Sequence, residues 1–339
     1  MMIQGSKLTP YQLPLARNWV SHQGCLEQRS GWLIQLAAGG HKGIGDCAPL
    51  ASAGTETIEE AEAWLQQHIN LLNHQDVRQL LESLDTLKPP PAARCGVETA
   101  LIDLLAKQAG RSIARWLNAD ASCKIEVNAN LGKLDNKVAQ RLNEARGYRV
   151  IKLKLGMAPI EQELAWLQQL TAALPGGIRL RLDANRAWPM AQAAEFIAAI
   201  ASLPIESIEE PLQDPTIELL SQLQLGTTIP LALDESLTQL NMQAIVQQPP
   251  VKRITLKPMV MGGLLPSIAL ARQARKAGMG VVVTSTIDSA VGVWAATHLA
   301  AALGKKCEPV AHGLATSHWL ASDVAEPPAI REGLIHLPC

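Results

Sequence analysis

The chain has 339 residues, of which 47% are hydrophobic, and a formal net charge of −1. Its length and composition predict a globular protein that forms either one large α/β barrel or two ordinary domains. Basic and acidic residues are interspersed, which argues against a nucleic-acid or anionic-membrane partner and favours a small-molecule ligand.

The N-terminal segment MMIQGSKLTPYQLPL lacks an apolar core of signal-peptide length, and the apolar stretch 281–304 is interrupted by Asp288 and His298. We therefore expect a cytoplasmic protein with no membrane partner. The six cysteines form no C-x-x-C pair. This spacing argues against a zinc ribbon or a redox motif, and we expect reduced, buried thiols.

The first hundred residues predict a mixture of strands and helices. GWLIQLAA and GIGDCAPL are typical of strands around a Gly-rich turn, and TIEEAEAWLQQHINLLN has the apolar spacing of a helix. The three prolines of KPPPAARC cannot continue a helix, whereas CGVETALIDLLAKQAG predicts a helix that ends at Gly110.

From about residue 124, short apolar strands alternate regularly with helical segments. This alternation predicts parallel strands joined by helical crossovers. Eight strands in this rhythm favour a closed (β/α) barrel over an open sheet. The candidate strands are KIEVNAN, RVIKLKL, IRLRLD, IESIE, IPLALD, RITLK, GVVVTS and EPVAHGL, and the helical segments include DNKVAQRLNEARG, MAQAAEFIAAIASL and LPSIALARQARKAG.

Five consecutive strands of this series end in a charged residue. Spaced 23 to 29 residues apart, these residues are Lys154, Asp183, Glu209, Asp234 and Lys257. Because side chains alternate along a strand, apolar neighbours such as Leu180 and Leu182 would face the helices while the charges point into the barrel. The charges would then meet at the C-terminal rim, where barrel enzymes have their active sites.

The same alternation places Lys152 and Lys154 on one face, opposite the three carboxylates. Three carboxylates without a histidine or cysteine in the pattern predict an oxygen-only site for Mg²⁺, with Mn²⁺ as an alternative. Lys154 and Lys257 could transfer protons, because the Lys152 ammonium would favour the neutral form of Lys154. A metal-bound carboxylate beside such a lysine suits removal of a proton α to that carboxylate.

Other interpretations of these residues remain open. Asp183 or Asn185 could cap a helix, Ser236 could be a cap beside an incidental Asp234, and Lys257 could be a solvated loop lysine. A Schiff-base barrel enzyme would use a lysine as a nucleophile and leave the three carboxylates without a purpose. An inactive binding module would not need chemically competent residues at all five positions.

At these positions the chain resembles the enolase superfamily, in the branch with paired lysines on the second and sixth barrel strands. KLKLG resembles its K-x-K strand, RLDANRAW, IEEP and DES its three metal-ligand segments, and LKP its second lysine. GIGDCAPL and VETALIDLLAKQAG resemble its capping domain. The resemblance implies a (β/α)7β modified TIM barrel over residues 119–315 and an N-terminal α+β capping domain over residues 1–118, to which residues 316–339 would return.

Within that branch, LRLDANRAW and TSTIDSAVG resemble the o-succinylbenzoate synthase family. That resemblance implies a carbon–oxygen lyase of menaquinone biosynthesis, which dehydrates 2-succinyl-6-hydroxy-2,4-cyclohexadiene-1-carboxylate to 2-succinylbenzoate. Lys154 would remove the α proton and protonate the departing hydroxyl, and Lys257 would stabilise the enediolate. The metal would be held by Asp183, Glu209 and Asp234. Supporting or substrate-binding roles are implied for Lys152, Arg181, Asn185, Thr284, Ser285 and Thr286.

The eighth-strand segment GLATSH departs from the family pattern. It lacks the acidic residue that many of these synthases have after Gly-Leu, and it lacks the Asp-x-Asp of dipeptide epimerases, which counts against an epimerase. An N-acylamino acid racemase is the main alternative, because the same two lysines and metal would serve it. Residues 17–30, RNWVSHQGCLEQRS, are expected to form a loop that closes over the ligand.

Overall fold

The computed structural model describes residues 1–21, 24–304 and 310–338. Its N-terminal part is an antiparallel sheet of three strands in the order β1-β2-β3. The strands are β1 (Ile3–Ser21), β2 (Gly24–Ala38) and β3 (His41–Cys47). The predicted Gly-rich turn joins β2 to β3, and its Gly39 and Gly40 have φ of 55° and 79°. These are left-handed values that glycine adopts without strain. The strand β1 was not predicted.

Four helices follow this sheet along the chain, and the first three contribute to its core. They are α1 (Ile58–His68), α2 (Val77–Ser83), α3 (Pro91–Gln108) and α4 (Ile113–Leu117). Thr57 and Glu60 form a capping box that starts α1, and Pro91 occupies the first turn of α3, where no backbone N–H is needed. The helix α3 packs closely against β3. A Cβ atom at Gly45 of β3 would lie only 1.9 Å from the carbonyl oxygen of Gly96 in α3.

The second part of the chain is a parallel barrel. After a short strand β4 (Lys124–Glu126), seven strands follow in sequential order in one sheet. They are β5 (Ala129–Lys133), β6 (Val150–Lys154), β7 (Arg179–Asp183), β8 (Ile205–Glu209), β9 (Leu231–Leu233), β10 (Arg253–Leu256) and β11 (Gly280–Val283). The helices among them are α5 (Ile160–Ala173), α6 (Met190–Ala199), α7 (Ile217–Leu225), α8 (Met242–Gln247), α9 (Pro258–Met261), α10 (Leu264–Lys276) and α11 (Ala290–Leu303). The helix predicted over 135–147 is instead a 3₁₀ segment, Val138–Ala145.

His312 and Gly313 close the barrel. His312 bridges Val127, and Gly313 bridges Thr284, both in parallel orientation. The His312 Nδ1 atom also accepts the Val283 N–H at 2.9 Å. The eighth strand predicted over 308–314 is therefore reduced to this short segment, and residues 308 and 309 lie outside the described residues. The prediction of a (β/α)7β barrel with an N-terminal domain is confirmed.

The segment KIEVNAN, predicted as one barrel strand, is divided between two sheets. Only its end belongs to β5, whereas β4 pairs antiparallel with the C-terminal strand β13 (Leu334–His336), which also pairs with β12 (Ile330–Arg331). The tail contacts the N-terminal sheet as well, since Ala321 donates its N–H to the Pro14 carbonyl oxygen at 2.8 Å. The boundaries proposed for the two domains stay a prediction.

The largest cluster of buried apolar residues is centred on the barrel, and a second is centred on the N-terminal sheet and its helices. Leu180 and Leu182 are buried in the barrel core, as strand alternation predicts. Cys47 and Cys95 are buried free thiols, but Cys123 is disulfide-bonded, so the expectation of reduced thiols is wrong for Cys123. None of the helices in the described ranges combines the length and apolar character that a bilayer crossing requires.

Candidate active site

The C-terminal rim of the barrel holds a cavity of about 130 Å³. The N-terminal domain closes part of it through Leu50, Ser52 and Ala53. Glu209 and Arg181 lie outside the lining set but are buried next to it. The predicted site residues that line the cavity are Lys152, Lys154, Asp183, Asn185, Asp234, Lys257, Thr284, Ser285 and Thr286.

Lysines and carboxylates alternate around this cavity. The Lys152 Nζ atom is 2.9 Å from Asp183 Oδ2 and also pairs with Glu209. The Lys257 Nζ atom is 2.7 Å from Asp234 Oδ1. Lys257 is therefore not a solvated loop residue. Because β6 and β10 are the second and sixth of eight barrel positions, the lysines at their ends approach from opposite sides.

The two opposed lysines have different electrostatic environments. Burial lowers the pKa of Lys154, and the Lys152 and Lys257 ammonium groups lower it further, although Asp183 acts in the opposite direction. The predicted effect of Lys152 on the pKa of Lys154 is thus present but secondary to burial. Burial also acts to lower the pKa of Lys257, but Asp234 and Glu235 outweigh it and raise that pKa to about 12. Near neutral pH these environments favour a neutral Lys154 more than a neutral Lys257.

The three predicted metal ligands contribute only oxygen donors. Asp183 and Glu209 are register partners in the β7–β8 pair, and Asp234 follows the next strand. Among the residues that the structure describes, no three His, Cys, Asp or Glu side chains are arranged so that they could bind a metal ion together. Each carboxylate instead contacts a lysine ammonium. The donor chemistry fits a hard divalent cation, provided that the carboxylates turn from these lysines towards it.

Glu210 holds the turn that carries Asp234. Its carboxylate accepts the N–H groups of Asp234 at 2.6 Å and Ser236 at 3.0 Å, together with the Ser236 hydroxyl. Burial raises the pKa of Glu210 to about 7. The interpretation of Ser236 as a helix cap is therefore wrong. Sequence reasoning passed over Glu210, because alternation placed it on the outward face.

Asn185 connects two of the strand ends. Its N–H donates to Asp183 Oδ1 and its Nδ2 donates to Glu235 Oε1, both at 3.2 Å. The next helix begins only at Met190, so the helix-cap interpretation of Asp183 and Asn185 is wrong. Burial and the neighbouring Asp234 raise the pKa of Glu235 to about 8. Glu235 was missed because it follows the end of its strand, where alternation no longer applies.

An ion network forms the floor beneath the cavity. The Arg181 side chain is 1% exposed, and its Nε donates to Glu206 Oε2 at 3.0 Å. Its Nη1 donates to Asn128 Oδ1 at 3.1 Å, and Nε lies 3.8 Å from Glu209 Oε1. Arg253 binds the other oxygen of Glu206. Arg181 therefore lies beneath the cavity beside Glu209, and its supporting role stays a prediction.

The inward position of Glu206 depends on an irregularity in β8. Leu180 pairs with Ile205 but Arg181 pairs with Ser207, so β8 contains one extra residue at Glu206. Strict alternation would have put Glu206 on the same face as Ile208, towards the helices. A β-bulge of this kind redirects a side chain. No feature of the sequence marked this bulge.

Arg29 joins two walls of the cavity. It is 2% exposed and donates to the carbonyl oxygens of Ala48 at 2.7 Å, Pro49 at 2.8 Å and Ile287 at 3.0 Å. Ile287 and the neighbouring Leu50 line the cavity. Ile287 has a φ of 59°, which is strained for a β-branched residue. The Arg29 guanidinium thus connects the N-terminal domain to the loop after β11.

Replacing Arg29 with methionine is expected to lower the free energy of unfolding by about 3 kcal/mol, because buried carbonyl groups lose their donors. Urea unfolding of the purified protein measures this change. Arg78→Met removes an exposed arginine from the same domain and is the matched control. Equal stability of the two variants would contradict the assigned role of Arg29.

The loop predicted over residues 17–30 is wrong, because these residues form the facing ends of β1 and β2, apart from 22 and 23, which lie outside the described residues. Arg17 and Asn18 border a second cavity of about 290 Å³. Lys154 lines both cavities. The segment therefore lies near Lys154, and its expected closure over a ligand stays a prediction.

Comparison with known proteins agrees with this architecture. Residues 135–339 match the family model described as enolase C-terminal domain-like. The chain belongs to the enolase superfamily. Residues 3–104 match a second model, described as the MenC N-terminal domain.

Named relatives of this enolase-superfamily chain include o-succinylbenzoate synthases. The one from Pasteurella multocida is 28% identical over 315 residues, covering 88% of this chain and 86% of the relative. The one from Yersinia pseudotuberculosis serotype I is 29% identical over 324 residues, covering 94% and 91%. The predicted resemblance is confirmed, and these relatives support an enzyme of the carbon–oxygen lyase class.

Solved structures share the fold of this enolase-superfamily chain over its whole length. The L-Ala-D/L-Glu epimerase from Bacillus subtilis has a TM-score of 0.89 at 21% identity, covering 100% of this chain and 97% of that one. The N-succinyl Arg/Lys racemase from Bacillus cereus has a TM-score of 0.88 at 21% identity, covering 100% and 93%. A dipeptide epimerase from Methylococcus capsulatus, complexed with Mg and L-Arg-D-Lys, has a TM-score of 0.87 at 26% identity, covering 100% of this chain and 98% of that one.

Proposed function

We propose that the chain is an o-succinylbenzoate synthase, which converts 2-succinyl-6-hydroxy-2,4-cyclohexadiene-1-carboxylate to 2-succinylbenzoate in menaquinone biosynthesis. The observation that carries the chemistry is the pair of opposed lysines, Lys154 and Lys257, around a cavity lined with carboxylates. The substrate is supported by relatives of that name, which match along most of the chain. The match of residues 3–104 to the MenC N-terminal domain adds support from the other part of the chain.

Lys154 would carry out both proton transfers. Its neutral amine takes the proton from the ring carbon that bears the carboxylate, and the electron pair of the broken C–H bond becomes part of the new ring double bond. The resulting ammonium then gives a proton to the hydroxyl leaving from the adjacent carbon, so that water departs from the same face. Burial favours this role, because it lowers the pKa of Lys154 and so increases its neutral fraction.

Lys257 would remain charged throughout the reaction. With a pKa of about 12 it is an ammonium at neutral pH, and it faces the cavity from the side opposite Lys154. In that position it opposes the negative charge that develops on the substrate. Asp183, Glu209 and Asp234 would hold a divalent ion, Mg²⁺ or Mn²⁺, which when bound supplies positive charge for the substrate carboxylate.

An N-acylamino acid racemase is the second candidate, and the opposed lysines favour it equally. One lysine could remove an α proton while the other returns a proton on the opposite face. A dipeptide epimerase is less well supported, because the cavity wall after Gly313 contains Ala315 and Thr316 instead of an acidic pair.

The decisive experiment follows ultraviolet absorbance as the cyclohexadiene substrate becomes aromatic in the presence of Mg²⁺. We expect turnover by the purified protein and its loss after EDTA treatment, with recovery when Mg²⁺ is added back. A protein that does not aromatise the substrate but exchanges the α proton of N-succinylamino acids in D₂O would be a racemase. Absence of both activities would contradict the proposed site chemistry.

A further inference from the structure

The cavity that Lys154 shares with the N-terminal hairpin has a positive lining. Of its lining residues, Arg17, Lys133, Arg141 and Lys154 can carry positive charge, and Asp135 can carry negative charge. Arg141 contacts both oxygens of Asp135, at 3.1 and 3.2 Å, so these two charges offset each other. The remaining charge of the lining is positive, which would attract an anionic group.

Arg17 and Lys133 are the cations of this lining that are available to bind an anionic ligand. Within the described ranges, neither side chain forms an ion pair with a carboxylate. The Arg17 guanidinium carbon lies 4.1 Å from the centroid of the Trp319 ring. Stacking on a buried indole holds the guanidinium plane while its edge remains available to an anion.

The position of this lining relative to the reactive lysine is fixed by strand pairing. Lys133 is the register partner of Lys154 in the parallel β5–β6 pair, so it emerges beside Lys154 at the same level of the barrel. The hairpin that carries Arg17 is held over this edge by Leu15, which bridges Leu320 next to Trp319. A ligand with one end at Lys154 can therefore extend its other end towards Arg17.

We propose that Arg17 and Lys133 form a subsite for a second carboxylate of the substrate, the one that ends its succinyl tail. This inference rests on the proposed function, because it assumes that the first carboxylate lies in the cavity with Asp183 and Lys257. A guanidinium binds a carboxylate through two parallel N–H bonds, and a nearby ammonium adds a point charge. The subsite would make the enzyme prefer dicarboxylates.

The test measures ligand binding by calorimetry with Mg²⁺-loaded protein. The two ligands are 2-succinylbenzoate and 2-butyrylbenzoate, in which a methyl group replaces the terminal carboxylate. We expect the intact protein to bind the succinyl compound at least about tenfold more tightly, by analogy with other charge-assisted contacts. In Arg17→Met/Lys133→Met this preference should disappear, because Kd rises for the dicarboxylate alone. High salt should weaken the preference in the intact protein.

Lys7→Met is the matched control, since it removes an exposed cation from β1 that lines neither cavity. A preference that persists in the double variant, or that falls equally in Lys7→Met, would overturn the subsite while leaving the proposed function intact. If 2-succinylbenzoate does not bind the intact protein at all, the proposed function fails and the subsite for its tail fails with it. Equal thermal midpoints of the variants would confirm that folding is unaffected.

Discussion

Lys154→Ala is expected to reduce kcat for dehydration by about 10⁴-fold, since one side chain acts first as the base and then as the acid. Lys152, which lies on the same face of β6, is a poor substitute because it already contacts Asp183 and Glu209. The aromatisation assay measures the rate, and binding of 2-succinylbenzoate shows whether the cavity is retained.

Lys137→Ala is the control for this prediction. It removes an exposed lysine that follows β5 and lines neither cavity. It should leave both kcat and KM nearly unchanged. A kcat for Lys154→Ala within about tenfold of the intact enzyme would show that another group takes the proton.

Arg181→Met is expected to lower the free energy of unfolding by about 3 to 5 kcal/mol, because it removes one partner from a buried ion network. Glu206 would then keep only Arg253 as a counter-charge, and Asn128 would lose a donor. Urea unfolding near neutral pH measures the loss. Arg149→Met, which removes an exposed arginine beside β6, should change stability by less than about 0.5 kcal/mol.

The Arg181→Met deficit should also depend on pH. Burial acts to raise the pKa of Glu206, but Arg181 and Arg253 outweigh it and lower that pKa to about 2. Stabilisation from a carboxylate with a lowered pKa is present above its unfolded value and is lost as the pH falls towards its folded value. The difference between the intact protein and Arg181→Met should therefore shrink between about pH 4.5 and pH 2. A deficit that is constant across this range would assign the effect to packing alone.

The inward charges were predictable because they depend on local regularity. Lys154 and Asp183 end strands in which apolar and polar residues alternate strictly, and that alternation determines the face that each side chain occupies. Asp234 and Lys257 follow from the same rule, because each comes one residue after the end of its own strand. The fold class was predictable for a similar reason, since regular strand–helix alternation restricts the topology.

The supporting residues were not predictable from the same rule. Glu206 points inward only because of a bulge, and Glu210 has a φ of 46° in a turn where alternation has ended. Arg29 donates hydrogen bonds to backbone carbonyl oxygens, one of them at the distant Ile287. Every residue has such an acceptor, so the sequence does not indicate which ones Arg29 contacts. The metal site also differs from its simplest expectation, because Lys152 lies between the carboxylates of Asp183 and Glu209.

The pairing of β4 with the C-terminal strand has a consequence for the integrity of the barrel. The strand β13 holds β4 immediately before the seam where Val127 meets His312, and Val127 itself donates its N–H to Gly333. The closing segment at His312 and Gly313 is too short to secure this seam alone. A chain truncated before β12 would therefore do more than lose a peripheral appendage. It would remove the strand pairing that stabilises the closure of the barrel next to Val127 and His312. The residues at the C-terminal rim would then no longer be held in a closed ring.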